Sequence, residues 1–316
     1  MADDYDMPKG ELMKGKKGVV TGVANHQSIA FGIASQLAAQ GAEMAFLHLP
    51  GMERRVQPLA EQLGVKVTAP ADVTDDAAMD TAFKTVSDAL GEIDFFVHAI
   101  AFANKDELKG SFVENTTREG FLRAMDTAFK TVGDALGEID FFVHAIAFAN
   151  KDELKGSFVE NTTREGFLRA MDISVYSFVD CARRAAALMP NGGSIVCLTY
   201  LGAERAIPNY NTMGVAKAGL EAATRYAARD LGPSDIRVNA ISAGAMRTLS
   251  LAGISGGRGM LAQGRAMSAM KADTSMEGVA GAALWLLSDL GRSTTGEVVH
   301  VDAGFHIMGI PDSAEG

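Results

Sequence analysis

Residues 16–32 read Lys-Lys-Gly-Val-Val-Thr-Gly-Val-Ala-Asn-His-Gln-Ser-Ile-Ala-Phe-Gly, an apolar run followed by a loop of small residues and the start of a helix. The apolar run predicts a buried strand. Gly22 and Ala24 are small enough to let a ligand approach the backbone, and Ser28 predicts the helix N-cap. A helix that begins here favours a pyrophosphate, because its amide groups and its dipole attract negative charge. The spacing Gly22 to Gly32 is longer than the common G-x-G-x-x-G, so the loop alone does not establish a nucleotide site.

Apolar runs and helical patterns alternate along the whole chain. Further strands are predicted at 43–49, 65–69, 93–100, 194–198, 236–241 and 296–302. Strands that are apolar throughout and that alternate with helices indicate a parallel sheet covered on both faces. We therefore predict one α/β domain over 1–316, a Rossmann-type doubly wound parallel sheet with helices on both faces.

The residues that follow the second and third strands bear on the choice of cofactor. Dinucleotide enzymes of the common type place Asp or Glu at the end of the second strand, where it holds the ribose. Here that strand ends at Leu49, with Arg54 and Arg55 further on. No acid is present to repel the 2′-phosphate of NADPH and no base stands at the tip to bind it, so either NADH or NADPH could be the cofactor. Asp72 and Val73 follow the third strand, where a carboxylate could meet the adenine amino group.

A repeat interrupts this pattern, because residues 79–124 recur at 125–170 with one difference, Ser87 against Gly133. Two near-identical copies of half a strand–helix–strand crossover do not indicate a helical solenoid. A tandem duplication within one domain is the better interpretation, whether it is natural, engineered or an error in the sequence.

The repeat supplies two identical strands, 94–100 and 140–146, to a sheet with one place for them. We expect one copy in the sheet and the other extruded beside it or added at a sheet edge, where an unpaired strand is an aggregation hazard. On sequence the two copies tie. Our hypothesis is that the first supplies the strand and the second supplies the long helix predicted at 162–189. The junction at 116–126 is predicted to fuse two helices into one.

The segment from Thr199 to Lys217 carries the candidate catalytic residues. Pro208 predicts that a helix begins near residue 209. On that helix Tyr210 and Lys217 are seven residues apart, close to two turns, so they share one face. Because an ammonium group favours a phenolate, we expect Lys217 to lower the pKa of Tyr210 and to make it a proton donor. The alternative is an ordinary helix with a half-buried tyrosine and a solvated lysine.

Two stretches towards the C-terminus complete the candidate site. The loop 242–249 is rich in small residues and lies beyond the carboxyl end of a strand, where cofactors lie in such sheets. Residues 250–272 are rich in glycine, methionine and leucine. They indicate either a flexible apolar flap over a greasy substrate or simple helical packing.

The composition limits the classes of function. Hydrophobic residues make up 47% of the 316, enough for a full core, and the net charge of −10 argues against broad binding to nucleic acids or to anionic membranes. Cys181 and Cys197 lie in apolar sequence and are expected to be buried and reduced, as in a cytoplasmic protein. Residues 1–14 look like a mobile leader without the apolar segment of a signal peptide, and the apolar run 278–287 is too short to span a bilayer. No spacing of cysteine and histidine predicts a metal site.

In this order, the motifs resemble those of the bacterial enoyl-acyl-carrier-protein reductases, a divergent branch of the short-chain dehydrogenase/reductase family. The most specific parts are Gly-Val-Ala-x-x-x-Ser-Ile-Ala at 22–30 and Tyr200-x9-Tyr210-x6-Lys217. Ordinary family members carry a serine where Tyr200 stands and a shorter Tyr-x-x-x-Lys pair. Arg-Val-Asn-Ala-Ile-Ser-Ala-Gly at 237–244 agrees with the resemblance.

The resemblance implies that NADH reduces the trans-2 double bond of an enoyl thioester in fatty acid elongation, with acyl-carrier-protein as partner and a homotetramer as assembly. Tyr210 would hydrogen-bond the thioester oxygen and stabilise the enolate, Lys217 would hold the nicotinamide ribose, and Tyr200 would line the acyl pocket. The implied cofactor contacts are Gly22, Ala24, Ser28, Ile29, Leu49, Asp72, Val73, Ile100 or Ile146, Lys217, Met246, Thr248, Leu249 and Ser250. The implied substrate contacts are Met213 and either Ala103 or Ala149.

The chain also departs from the family pattern. Ala245-Met246 stands where relatives more often have Pro-Ile, and Gly256-Gly257 replaces larger residues in the flap. The flap has few basic residues to recognise an acidic carrier protein: Arg258, Arg265 and Lys271. Two other functions stay open. One is a dehydrogenase for a ketone or alcohol, and the other is a cofactor-binding protein whose turnover is impaired by the repeat.

Overall fold

The computed structural model describes residues 6–72, 75–99, 137–248, 251 and 257–310. The eight strands of these residues are β1 (Lys17–Thr21), β2 (Glu43–His48), β3 (Val67–Pro70), β4 (Phe95–His98), β5 (Phe141–His144), β6 (Gly193–Thr199), β7 (Ile236–Ala243) and β8 (Val298–Val301). The nine α-helices of the same ranges are α1 (Ile29–Ala39), α2 (Glu53–Gln62), α3 (Asp76–Leu90), α4 (Phe158–Asn161), α5 (Arg164–Met171), α6 (Ser177–Ala187), α7 (Asn211–Leu231), α8 (Gly257–Met267) and α9 (Met276–Leu287).

All eight strands form one parallel sheet in the order β3-β2-β1-β4-β5-β6-β7-β8. The chain begins at β1, moves outward to β3, and then crosses back to β4 on the other side of β1. This reversal between β1 and β4 is where doubly wound sheets bind ligands, beyond the carboxyl ends of the strands. The predicted α/β doubly wound fold is confirmed.

Separate apolar clusters cover the two faces of the sheet. One cluster includes Phe31 of α1 and Leu286 of α9, and the other includes Phe83 of α3 and Phe178 of α6. All four side chains are almost completely buried. The sheet is therefore covered on both faces, which explains why its strands are apolar throughout rather than alternating.

Both copies of the repeated strand lie in the interior of the sheet, which corrects the expectation that one copy is extruded or added at an edge. β4 and β5 pair in parallel and in register, with Phe95 opposite Phe141 and His98 opposite His144. β4 also pairs with β1, and β5 with β6, so both strands are bonded on both sides. Because β4 and β5 have the same sequence and are paired in register, each face of the sheet receives the same side chains from both strands. Inserting the second strand leaves no additional strand edge unpaired.

Side chains from the two copies reinforce this pairing. The rings of Phe95 and Phe141 stack with their centroids 4.7 Å apart. Lys16 Nζ donates to the equivalent carboxylates of the two copies, Asp94 Oδ1 at 3.1 Å and Asp140 Oδ2 at 2.5 Å. Partial burial lowers the pKa of Lys16, but its hydrogen bonds to Asp140 and Asp94 outweigh this and raise the pKa above its ordinary value. One cation thus joins the two copies near the amino ends of their strands.

The long helix predicted at 162–189 is present in three parts. α5 and α6 are joined by a π-helical segment, Asp172–Tyr176. Thr163 is the N-cap of α5, and its hydroxyl accepts a hydrogen bond from Gly166 N at 3.0 Å. The second copy of the repeat ends at residue 170, within α5. The predicted fusion at 116–126 lies outside the described residues.

The described part of the N-terminal segment is packed, so the expectation of a mobile leader is wrong for residues 6–14. Met7 and Met13 are buried. Gln40 Nε2 donates to Pro8 O at 2.7 Å, and Gly10 N donates to Ala39 O at 3.1 Å. The segment therefore lies along the C-terminal end of α1.

Both cysteines are buried free thiols, as expected. Burial raises the pKa of Cys197 to about 11, so this thiol is protonated and unreactive at neutral pH. In the ranges that the structure describes, no helix is both long and apolar enough to cross a membrane.

Candidate active site

The loop after β1 packs tightly against the end of β4. Gly22 has a φ of +83°, and a Cβ at this position would lie 2.4 Å from Ala99 O. Ala99 N in turn donates to Thr21 Oγ1 at 3.2 Å. Only glycine fits both the positive φ and the close approach, and its bare backbone leaves the loop accessible to a ligand.

Replacing Gly22 by alanine is expected to destabilise the protein. Gly51 is the matched control, because it has a φ of +88° and a Cβ there would meet nothing within 4 Å, so Gly51→Ala carries only the conformational strain. We expect Gly22→Ala to lower the free energy of unfolding by about 1–3 kcal/mol more than Gly51→Ala, because the added methyl group is forced against Ala99. Urea unfolding of both variants measures this difference. Equal losses would contradict the close packing of the loop.

Helix α1 begins at the same edge of the sheet. Ser28 is its N-cap, and Ser28 Oγ accepts a hydrogen bond from Phe31 N at 3.3 Å. Ser28 Oγ also donates to Asn25 O at 2.9 Å, which fixes the loop. Ala24 and Ile29 are partly exposed beside it. The first-turn amides of α1 are thus placed to bind an anion such as a pyrophosphate.

The ends of β2 and β3 lie next to this loop in the sheet order. Leu49 is 37% exposed directly after β2, and the ring of buried His48 lies with Nδ1 3.0 Å from Leu49 O. Asp72 is partly buried, and its backbone oxygen accepts from Asp75 N at 2.9 Å. These positions suit the adenosine end of a dinucleotide. Val73 lies outside the described residues.

Tyr200 and Tyr210 meet at the carboxyl end of β6. Their rings are in an edge-to-face arrangement with centroids 4.9 Å apart. Tyr210 immediately precedes α7 as its N-cap residue, and it is 9% exposed. A Cβ on Gly202 would lie 2.4 Å from Tyr210 Cδ1, so the glycine makes room for the ring. The helix that Pro208 predicts is confirmed, with its first residue at 211.

Lys217 lies about two turns further along α7 than Tyr210, and its side chain is buried. Its Nζ donates to Leu198 O at 2.6 Å. Burial lowers the pKa of Lys217 to about 8, so the amine is still mostly charged at pH 7. The alternative of a solvated lysine is therefore wrong.

The expected lowering of the Tyr210 pKa is also wrong. Burial, and then the neighbouring Tyr200, raise the pKa of Tyr210 above its ordinary value. The ammonium group of Lys217 is directed to Leu198 O rather than to the phenol. Tyr210 is consequently a neutral hydrogen-bond donor at physiological pH, not a poised phenolate.

Residues of the second repeat copy pack in the same apolar cluster as Tyr210. Ala149 shares a buried apolar cluster with Tyr210 and Met213, and Ile146 is buried in the core nearby along the same loop. Ser174 Oγ donates to Phe148 O at 3.1 Å and fixes this loop. The equivalent residues of the first copy, Ile100 and Ala103, lie outside the described residues.

Glu221 was not predicted from the sequence as part of this region. Its Oε1 accepts from Thr199 Oγ1 at 2.8 Å, and the carboxylate follows Lys217 by one turn of α7. Burial raises the pKa of Glu221. The spacing Lys217-x-x-x-Glu221 on a helix is the signal that could have indicated it, because residues four apart share a face.

A small open cleft with a volume of about 30 Å³ adjoins Tyr200. Met260, Leu261 and Gly264 of α8 form one wall, and Gly244 of the loop after β7 forms part of another. Part of the stretch 250–272 is thus helix α8, which contributes apolar side chains to a cleft. At its rim Arg265 forms a salt bridge with Asp273.

The remaining predicted residues of the loop after β7 divide into two groups. Met246 is buried in the core, and Thr248 N donates to Met246 O at 2.8 Å. Leu249 and Ser250 lie outside the described residues. No group of three or more potential metal ligands occurs within the described ranges.

Comparison with known proteins extends this description. The pattern of the family described as enoyl-(acyl carrier protein) reductase matches residues 22–132 and 124–306. Each match contains one complete copy of the repeat. The chain belongs to this family.

Relatives within the enoyl reductase family align with nearly all of the chain. Enoyl-[acyl-carrier-protein] reductase [NADH] 1 of Rhizobium meliloti is 44% identical, over 95% of this chain and 93% of that protein. The Bacillus cereus enoyl-[acyl-carrier-protein] reductase [NADH] is 40% identical, over 95% of this chain and 100% of the relative.

Two solved structures of family members are similar to this one. The Anaplasma phagocytophilum reductase in complex with NAD is 43% identical, with a TM-score of 0.71 and 98% coverage of both chains. The Bacillus cereus reductase with NADP+ and indole naphthyridinone is 40% identical, with a TM-score of 0.71 over 95% of this chain and 100% of that one. At this level of identity, similarity extends beyond the fold to the family itself.

Proposed function

We propose that this enoyl reductase family member reduces the trans-2 double bond of enoyl thioesters on acyl-carrier-protein with NADH, the last step of fatty acid elongation. The observation that carries the proposal is the edge-to-face pair of Tyr200 and Tyr210 beside an open cleft, with buried Lys217 on the same helix. The relatives named as NADH-dependent enoyl reductases support the same reaction.

Each end of the site fits one half of a dinucleotide. The bare backbone of Gly22 and the first turn of α1 suit the pyrophosphate. Leu49 and Asp72 flank the adenosine end, and Lys217 suits the nicotinamide ribose. When bound, NADH supplies the hydride that adds to the β-carbon of the enoyl thioester.

Tyr210 stabilises the charge that develops during this addition. Because burial raises the pKa of Tyr210, its hydroxyl keeps its proton and donates a hydrogen bond to the thioester oxygen. As the β-carbon is reduced, negative charge accumulates on that oxygen as an enolate, and the hydrogen bond strengthens. A proton from solvent water then adds to the α-carbon, which completes the saturated thioester.

Lys217 orients the cofactor rather than transferring a proton. One of its three N–H groups is used by Leu198 O, which holds the side chain in place. The others remain to donate to ribose hydroxyls. Its positive charge also favours the developing enolate through the low-dielectric interior.

Tyr200 and helix α8 accommodate the acyl chain. Met260 and Leu261 line the cleft with flexible apolar side chains that adapt to a linear alkyl group. Arg265 is neutralised by Asp273 in its salt bridge, so it contributes less to recognition of an acidic carrier protein than its sequence position suggests.

Location and assembly are further parts of the proposal. A cytoplasmic enzyme fits the two buried free thiols. A homotetramer fits the exposed apolar side chains of the helices from α4 to α7, for example Val159 at 85% and Tyr226 at 69% exposure. Light scattering coupled to size-exclusion chromatography tests the tetramer, and a monomer at micromolar concentration would contradict it.

The decisive assay follows NADH absorbance with two thioesters. We expect the chain to oxidise NADH with crotonyl thioester and to leave it unchanged with acetoacetyl thioester, the ketone of similar size. Oxidation with the ketone alone would support a conventional short-chain dehydrogenase instead. Absence of oxidation with either thioester, at NADH concentrations up to millimolar, would refute the proposed reaction.

A further inference from the structure

The additional strand lies between the two ends of the proposed cofactor site. The pyrophosphate loop follows β1, whereas Tyr200 follows β6, and both β4 and β5 separate them. Since neighbouring strands are about 4.8 Å apart, the sheet places β1 and β6 about 14 Å apart, against about 10 Å if one strand lay between them. The repeat therefore widens the sheet at the point where ligands bind across it.

The two ends of the site are also supported by different copies of the repeat. Gly22 packs against Ala99, which belongs to the first copy. Tyr210 shares its apolar cluster with Ala149, which belongs to the second copy. In a chain with a single copy, the same short segment after one strand would have to support both ends. Here the two ends contact residues of different copies, Ala99 and Ala149.

We infer that β5 acts as a spacer, so that one dinucleotide cannot occupy the Gly22 loop and the Tyr210–Lys217 site at the same time. The chain then binds NADH through its adenosine half or its nicotinamide half, each with its own affinity. A chain with one copy binds both halves together. The inference rests on the proposed function, because it takes the dinucleotide to lie across these strands.

Simultaneous binding of two linked halves multiplies affinity, and this gain is lost when the linker cannot span the two sites. Calorimetric titration of the full chain with NADH and with ADP measures the gain directly. We expect NADH to bind within about tenfold of ADP, because the nicotinamide half adds little. NADH affinity more than about a hundredfold above that of ADP would overturn the inference.

Deleting one copy supplies the matched comparison. Deletion of 79–124 and deletion of 125–170 give chains that differ only at the residue that is Ser87 in one copy and Gly133 in the other. We expect both deletions to raise NADH affinity by about a hundredfold or more and to change ADP affinity less than about threefold. An unchanged ratio of NADH to ADP affinity would overturn the inference. If neither variant folds, the titration of the full chain decides the question alone.

Crotonyl thioester reduction separates this inference from the proposed function. If a single-copy chain gains NADH affinity but does not reduce the thioester, the spacer is supported and the proposed reaction is wrong. If the full chain and a single-copy chain reduce it with the same affinity for NADH, the reaction is supported and the spacer is wrong.

Discussion

Replacing Tyr210 by phenylalanine is expected to lower kcat for crotonyl thioester reduction by about 10²–10³-fold, the usual effect of removing one donor to a developing oxyanion. The ring and its contact with Tyr200 are retained, so the substitution removes only the hydroxyl. Because the hydroxyl acts mainly on the enolate-like transition state, KM should change much less than kcat.

Tyr226→Phe is the control for this substitution. Tyr226 lies on the same helix, α7, but it is 69% exposed and away from the cleft-lining residues. It should retain full activity, and both variants should have unfolding free energies close to that of the parent. A loss in kcat below about threefold for Tyr210→Phe would show that this hydroxyl is not the donor.

The paired histidines of the repeat are expected to make the stability of the protein depend strongly on pH. His98 and His144 face each other across β4 and β5 and are both buried. Burial lowers the pKa of His98 to about 4. Burial, with a further contribution from His98, lowers the pKa of His144 well below its ordinary value. His144 Nε2 is 2.9 Å from Ser177 Oγ, while its Nδ1 has no hydrogen-bond partner among the described residues.

Acid should therefore destabilise the protein through these two side chains. Below pH 6.5 histidines in the unfolded chain take up protons that the folded protein does not bind, so the free energy of unfolding falls as the pH falls. At pH 5 His98 is expected to cost about 2 kcal/mol relative to pH 7, and His144 adds a cost of the same sign. His98 stays neutral in the folded state until the pH reaches about 4.

Urea unfolding at pH 7 and pH 5 measures this dependence. His98→Gln should reduce the difference in unfolding free energy between the two pH values by about 2 kcal/mol. His144→Gln should reduce it in the same direction, and the double variant should reduce it more than either single variant. Carboxylates contribute equally to parent and variants, so they cancel in the comparison. Variants with the same pH dependence as the parent would show that the two strands are not buried side by side.

Much of the fold could be predicted from local sequence. The strands lie within one to three residues of the predicted ends, because continuous apolar runs between helices have few other solutions in a parallel sheet. The N-cap of α1 at Ser28 likewise follows from a local residue. The family assignment followed from motifs that are local in sequence, above all Tyr200, Tyr210 and Lys217.

The destination of the repeated strand could not be predicted in this way. Identical sequences have identical propensities, so nothing local distinguishes a strand in the sheet from one beside it. Insertion depends instead on whether β1 and β6 can separate and still pair fully, which is a property of the whole sheet. The contacts of Lys16 with both Asp94 and Asp140 show how a residue distant in sequence accommodates the second copy.

The electrostatics of the site could not be predicted for a related reason. Helical spacing predicted that Tyr210 and Lys217 share one face of a helix, but it could not show that both are buried. Burial dominates the pKa of each group, and it arises from Gly202, Ala149 and the carbonyl of Leu198, which lie elsewhere in the chain. A donor tyrosine with a raised pKa is thus a tertiary property.

The central claim is that this chain transfers hydride from NADH to the β-carbon of an enoyl thioester. The most direct measurement incubates the full chain with crotonyl thioester and NADH dideuterated at C4 of the nicotinamide, followed by mass spectrometry of the product. We predict butyryl thioester with one deuterium on the β-carbon. A hydroxylated product, a saturated product without deuterium, or unchanged crotonyl thioester would contradict the claim.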